Sequence, residues 1–147
     1  MPLYQDIENG IKDAMRSQQK ERLSALRNIK SFLKNKAIEL KRELNDEEVV
    51  QSLSTLAKQR QESIESFQAA GRQDLVDKET AELKIIRGFM PQPLSEEALN
   101  ELIRKAIQES GAAGPQDMGK VMKLLKAQVT GRADGKVVSE RVKALLQ

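Results

Sequence analysis

The chain of 147 residues contains no histidine, no cysteine and no tryptophan. Without imidazole or thiol side chains there is no thiolate nucleophile, no Ser-His-Asp relay, no imidazole proton shuttle and no zinc site of the usual nitrogen and sulfur ligands. Any metal would have to rest on carboxylates alone. The absence of cysteine also removes a disulfide framework, so stability must come from the core, and a reducing cytoplasm is the expected setting. Aromatics are limited to Tyr4, Phe32, Phe67 and Phe89. Phe32 and Phe67 follow the apolar stripes and are expected in the core, while Tyr4 and Phe89 stand too isolated to form a platform on which bases stack. No apolar run approaches the ~20 residues that span a bilayer, so no membrane is expected as a partner. The opening MPLYQDIENG lacks the charged and then apolar pattern of a secretory signal.

What the chain does have is charge. Lys and Arg number 25 against 22 Asp and Glu, a formal net charge of +3. The pI of about 9.2 exaggerates this excess. With neither His nor Cys, almost nothing titrates between the carboxylates near pH ~4 and the lysines near ~10. Only the placement of the charges decides whether a surface is basic.

Strand signals are nearly absent, and a helical period dominates. Leu3, Ile7, Ile11, Ala14 and Met15 predict a first helix to about Ser17. Leu23, Leu26, Ile29, Leu33, Ala37, Leu40 and Leu44 predict a second, roughly 35 Å long. Asn45 followed by Glu48 has the form of a capping box, with Asp46 and Glu47 placed favourably against the helix dipole. The third helix carries Val49, Val50, Leu53, Leu56, Ala57, Ile64 and Phe67 and stops at Gly71; a fourth runs from about Gln73 to Gly88. The two long helices are expected to pair as an antiparallel hairpin covered by the shorter two.

Pro91 and Pro93 lie in the non-helical segment GFMPQPLS, the best place for a boundary between residues 1–90 and 91–147. Beyond it, Ser95 is a helix cap followed by the stripe Leu99, Leu102, Ile103, Ala106 and Ile107, ending at Gly111. A helix from about Asp117 to Val129 follows, then a turn TGRADGK, then a last helix capped by Ser139. The predicted fold is all-α: a four-helix N-terminal part and a small three-helix C-terminal part.

Two places concentrate positive charge. On the second helix Arg16, Lys20, Arg27, Lys30, Lys34 and Lys41 fall together about 90° to one side of the leucines, with no acidic residue between Glu21 and Glu39. This stripe is a solvated helix face or, given its length of about 20 to 30 Å, a surface that follows phosphates. The second place is residues 118–147, where seven basic residues face two acidic ones, an excess larger than that of the whole chain. Lys120, Lys123 and Lys126 are three apart on one helix. After them, Gly131, Arg132, Gly135 and Lys136 form a loop whose glycines would let backbone N–H groups and two cations approach a phosphate.

Other chemistry is poorly provided for. Gly114 to Lys120 match the first seven positions of a phosphate-binding loop, but the eighth is Val121 rather than Ser or Thr, Pro115 removes a donor, and no strand precedes it. Nucleotide hydrolysis is therefore not expected. Paired carboxylates such as Asp46, Glu47 and Glu48 sit at helix starts, where the dipole explains them. No catalytic residue, metal or cofactor emerges from the residues.

The segments LRNIKSFLKNKAIEL, LAKQRQESIESFQAAGRQDL, GFMPQPLSEEAL and above all DMGKVMKLLKAQVTGRADGKVVSERVKALL closely resemble the YqeY family, over essentially the whole chain. The resemblance implies an all-α protein whose C-terminal part is similar to the tail domain of the B subunit of glutamine-dependent tRNA amidotransferase, a module also appended to some glutaminyl-tRNA synthetases. It places Met118 to Met122 on a packed helix start and Gly131, Arg132, Gly135 and Lys136 in a tRNA-facing loop. The expectation is a tRNA-binding accessory protein with no catalysis of its own, recognising backbone and shape through these residues and through Arg27, Lys30 and Lys34. The alternatives are a scaffold that docks on the tRNA amidotransferase, an aminoacyl-tRNA synthetase or another translation factor, and a carbon-nitrogen ligase using glutamine as amide donor.

Overall fold

The computed structural model describes residues 2–147, which form seven α-helices, one 3₁₀ turn and no strand among the described residues. The fold is all-α, as the periodicity predicts. The chain divides into two compact units, Met1–Met90 and Pro91–Gln147.

The first unit holds α1 (Pro2–Arg16), α2 (Lys20–Leu40), α3 (Asp46–Ala69) and α4 (Gln73–Gly88). Its core centres on Ile7, Leu26, Leu33, Val49 and Leu53, all fully buried. Tyr4 and Phe89, expected to be isolated, pack against this core together with Phe32 and Phe67. α1 packs closely at Gly10, where a Cβ would lie in van der Waals contact, 3.4 Å from both Leu26 Cδ1 and Phe89 Cζ.

The two long helices do not form the main hairpin. α3 packs most extensively on α4, and α1 on α2, whereas α2 and α3 touch much less. All three connectors are short enough for a helical hairpin. Three residues separate α1 from α2 and α3 from α4, and five separate α2 from α3. Gly71 makes the α3–α4 turn with φ +71, and Arg60 of α3 then bridges Glu79 at 3.1 Å and Glu82 at 3.4 Å on α4.

At its other end α2 stops about a turn before the leucine repeat does. Lys41 takes a left-handed conformation, φ 59, and the Arg42 N–H donates to Ala37 O at 3.2 Å. Leu44 lies outside the helix yet is buried, so the apolar repeat continues past the end of the regular structure. Arg42 fixes the connector by a two-pronged contact with Glu48, at 2.6 and 2.7 Å. Glu48 completes the capping box: its backbone N–H donates to Asn45 Oδ1 at 2.8 Å, and its Oε1 accepts from the Asn45 N–H at 3.1 Å.

The second unit holds α5 (Glu96–Ser110), α6 (Met118–Val129) and α7 (Gly135–Leu146), with the 3₁₀ turn Pro115–Asp117 ahead of α6. Ser95 caps α5 through the Ala98 N–H, at 3.1 Å, and Gly111 ends it with φ +69. Ile103, Leu125, Val121, Val138 and Val142 form the buried centre. The last helix starts four residues before the expected Ser139. Its cap is Asp134, whose Oδ1 accepts from the Lys136 N–H at 2.9 Å, so Ser139 lies inside the helix.

Asn45→Ala removes one side of the capping box and should cost about 1 kcal/mol, read as a lowered denaturant midpoint with an unchanged slope. The hydrogen bond from Arg42, then that from the Asn45 N–H, hold the Glu48 carboxyl down to about 2 from an ordinary 4.5. A carboxyl depressed in the folded state stabilises fully above its unfolded value, and that contribution fades as the pH falls toward about 2. Glu48→Gln should therefore flatten the acid limb of a thermal-melting profile between pH 4.5 and 2. In the small second unit, Ile103→Ala should cost about 2–5 kcal/mol, enough to unfold that unit ahead of the first, as amide exchange monitored by NMR would show.

Candidate nucleic-acid interface

The basic residues of the second unit fall into two groups, those used by the fold and those left outward. On α6 the buried side chains are Val121, Leu125 and Val129, while Lys120, Lys123 and Lys126 are all exposed. Met118 and Met122 are half-buried at the packed start of this helix. Lys120 has a local partner, its Nζ lying 3.6 Å from Asp117 Oδ1. Asp117 also accepts from the Ala113 N–H at 3.0 Å, and that bond first, then Lys120, lowers its carboxyl below the usual range. The stretch resembling a phosphate-binding loop thus folds as a 3₁₀ turn that already contains its own anion. Gln116 packs over Gly114, 2.8 Å from where a Cβ would sit.

The turn between α6 and α7 differs from the expected glycine-lined cradle. Gly131 does take a positive φ, +74, but Gly135 and Lys136 belong to the first turn of α7. The N–H groups of Arg132 and Ala133 both donate to Val129 O, at 2.9 and 3.1 Å, and that of Lys136 is held by Asp134. These donors serve the helix ends, so an anion would meet side-chain cations rather than a backbone nest.

Arg132 itself is half-buried and acts as a clasp. Its Nε donates to Gln92 O at 2.9 Å and its carbonyl accepts from the Leu94 N–H at 2.8 Å. Both contacts fasten the proline-containing strand of chain ahead of α5, where Pro91 and Pro93 have no N–H to offer. Arg141 is likewise structural, joining α7 to α5 through Glu96 at 3.2 Å and Asn100 at 2.9 Å.

Lys123, Lys126 and Lys136 remain exposed with no ion pair among the described residues, and Lys143 joins them. Sequence reasoning did not single out Lys143. Its separation of seven from Lys136 puts the two on one face of α7, a spacing that was there to be read.

In the first unit, Arg27 and Lys34 are exposed on α2. Lys30 is half-buried, and its Nζ lies 3.5 Å from Glu8 Oε2 on α1. It serves the α1–α2 packing, so the expected stripe loses one member. The described residues contain no group of three or more carboxylates placed to hold a metal ion, and no helix is long and apolar enough to cross a membrane.

Residues 4–146 match the family model described as Yqey-like protein. The chain belongs to the YqeY family. Similar curated proteins carry the name "Altered inheritance of mitochondria protein 41, mitochondrial". That of Pyrenophora tritici-repentis is 29% identical over 143 residues, covering 95% of this chain and 78% of the relative. That of Saccharomyces cerevisiae is 40% identical over 93 residues, covering 62% and 50%. That of Lachancea thermotolerans is 35% identical over 95 residues, covering 63% and 51%. These matches span about half the length of the two yeast relatives.

The names correct one expectation. These YqeY relatives are mitochondrial proteins by name, which overturns the cytoplasmic setting inferred from the missing cysteines. A chain with no thiol tolerates any redox poise, so its cysteine count carries no information about compartment.

Arg132→Ala should free the Gln92 anchor without touching the lysines. The expected result is faster hydrogen exchange at the Leu94 amide, measured by NMR, with exchange in the centre of α6 little changed.

Proposed function

We propose that this YqeY protein binds folded tRNA through its C-terminal unit, recognising backbone and shape rather than base sequence, as an accessory protein without catalysis of its own. One observation carries the reading: Lys123, Lys126, Lys136 and Lys143 of α6 and α7 project outward, with Glu140 the one exposed carboxylate within these two helices, while most other carboxylates of the unit are engaged elsewhere. Glu96 is held by Arg141, Glu101 by Arg104, Glu109 by Lys105, and Asp134 by the start of α7. A surface of unmatched lysines gains affinity for a polyanion by releasing its counterions. The resemblance of this unit to the amidotransferase tail domain supports a tRNA ligand over other polyanions. The lack of an aromatic platform supports folded RNA over single strands.

A second reading, docking on the tRNA amidotransferase, an aminoacyl-tRNA synthetase or another translation factor, is favoured by exposed apolar residues in the same unit. Leu124, Val137 and Leu145 are 43%, 38% and 44% exposed. Large apolar side chains on a surface are the usual anchors of protein interfaces.

Replacing Lys123, Lys126 and Lys136 together with Ala should weaken binding of folded tRNA and lower the slope of log affinity against log salt by about 2.7, at ≈0.9 for each lost phosphate contact. An unchanged slope would sink the site. Recovery of protein partners after nuclease treatment, with no tRNA affinity in the purified chain, would favour the second reading.

A further inference from the structure

The geometry points to a second phosphate-binding surface on α2, a straight row of cations that follows the sugar-phosphate backbone of an RNA duplex. It takes its ligand class from the tRNA-binding reading but rests on other residues in the other unit. Lys20, Arg27, Lys34 and Lys41 recur at intervals of seven. Seven residues fall about 20° short of two full turns, so Lys20, Arg27 and Lys34 lie nearly in line at intervals of about 10 Å, and Lys41 continues the spacing at the helix cap. Ser24 and Ser31 fill the gaps with hydroxyl donors, and all six residues are exposed.

The row faces away from the core. Ala25, Leu26, Ile29 and Leu33 are the buried side of α2; on the helix wheel the middle of that side lies opposite Arg27 and Ser31, while Leu26 at its edge is about 100° from Arg27. The carboxylates of α2 are displaced from the row by about 100°, and one of them, Glu39, is 3.6 Å from Lys36. Lys30 lies off the row's other edge and is engaged by Glu8. Lys20 and Ser24 border a groove that also holds Asp74, Asp77 and Glu82 of α4, and Lys34 borders one that holds Glu8 and Glu43. Arg27 borders neither, which makes it the centre of the site.

Ile38, 65% exposed, is the one apolar member of this face. A protein interface would need a core of apolar anchors. A line of hydroxyls and cations at a regular interval on a stiff helix instead matches a ligand that is itself a regular line of charge.

The test is fluorescence anisotropy of the full chain with a labelled RNA duplex of about 20 base pairs, titrated across salt concentrations. Arg27→Ala with Lys34→Ala should reduce affinity roughly tenfold at low salt and lower the salt slope by about 1.8, two contacts at ≈0.9 each. Arg27→Lys with Lys34→Arg should restore both values, and the same loss should persist when Lys123, Lys126 and Lys136 are already Ala. No duplex binding by the unaltered chain, or an Ala pair with unchanged slope, overturns the proposal. So does an Ala pair that loses only an acidic protein partner. A loss confined to the α6 and α7 lysines would leave the C-terminal reading standing and this one fallen; a loss confined to the α2 pair would do the reverse.

Discussion

The first N–H groups and the last carbonyls of a helix have no partners within it, and in this chain the side chains and turns that supply them decide much else. Asn45 and Glu48 close the start of α3, and with Arg42 they draw the five-residue connector into a defined path. That path fixes how the chain passes from α2 into α3. In the second unit Asp134 closes the start of α7, and the N–H groups that end α6 are committed to Val129. Once those demands are met, lysines with long aliphatic stems are the groups that remain free to meet a ligand.

Arginine and lysine divide the work accordingly. Arg42, Arg60 and Arg141 each join separate segments through two-pronged guanidinium contacts, and Arg132 does so through its Nε. A guanidinium suits this role because it offers several donors in a rigid fork, whereas an ammonium is a compact, strongly hydrated point charge. The fully exposed cations of α6 and α7 are all lysines. The net charge of the chain is a poor guide to its surface, since the positive groups that count are those the fold does not consume.

Much of this was legible in the sequence. Leu26, Ile29, Leu33 and Leu53 mark buried faces by their spacing alone, and Asn45, Ser95, Gly71 and Gly111 mark helix ends because each does a local job that few other residues do as well. What escaped depends on contacts between distant positions. Nothing in the neighbourhood of Arg132 reveals that it reaches Gln92, and Lys30 looks like any other member of a basic stripe until Glu8 arrives from α1. The premature stop of α2 and the early start of α7 escaped for a different reason: apolar periodicity reports which residues are buried, and Leu44 is buried without being helical.

Lys41 shows how backbone preference and side-chain chemistry pull against each other. A left-handed conformation costs an ordinary L-residue about 1–2 kcal/mol, and glycine is the residue that commonly ends a helix in this way. Gln18 bears the same burden at the turn into α2, with φ 58. A designer seeking to relieve that strain would put glycine at both places. At position 18 only an amide would be lost, but at position 41 the relief of the backbone would also remove a positive charge at the end of α2, so the change that suits the helix best is not neutral for whatever that end of the molecule touches.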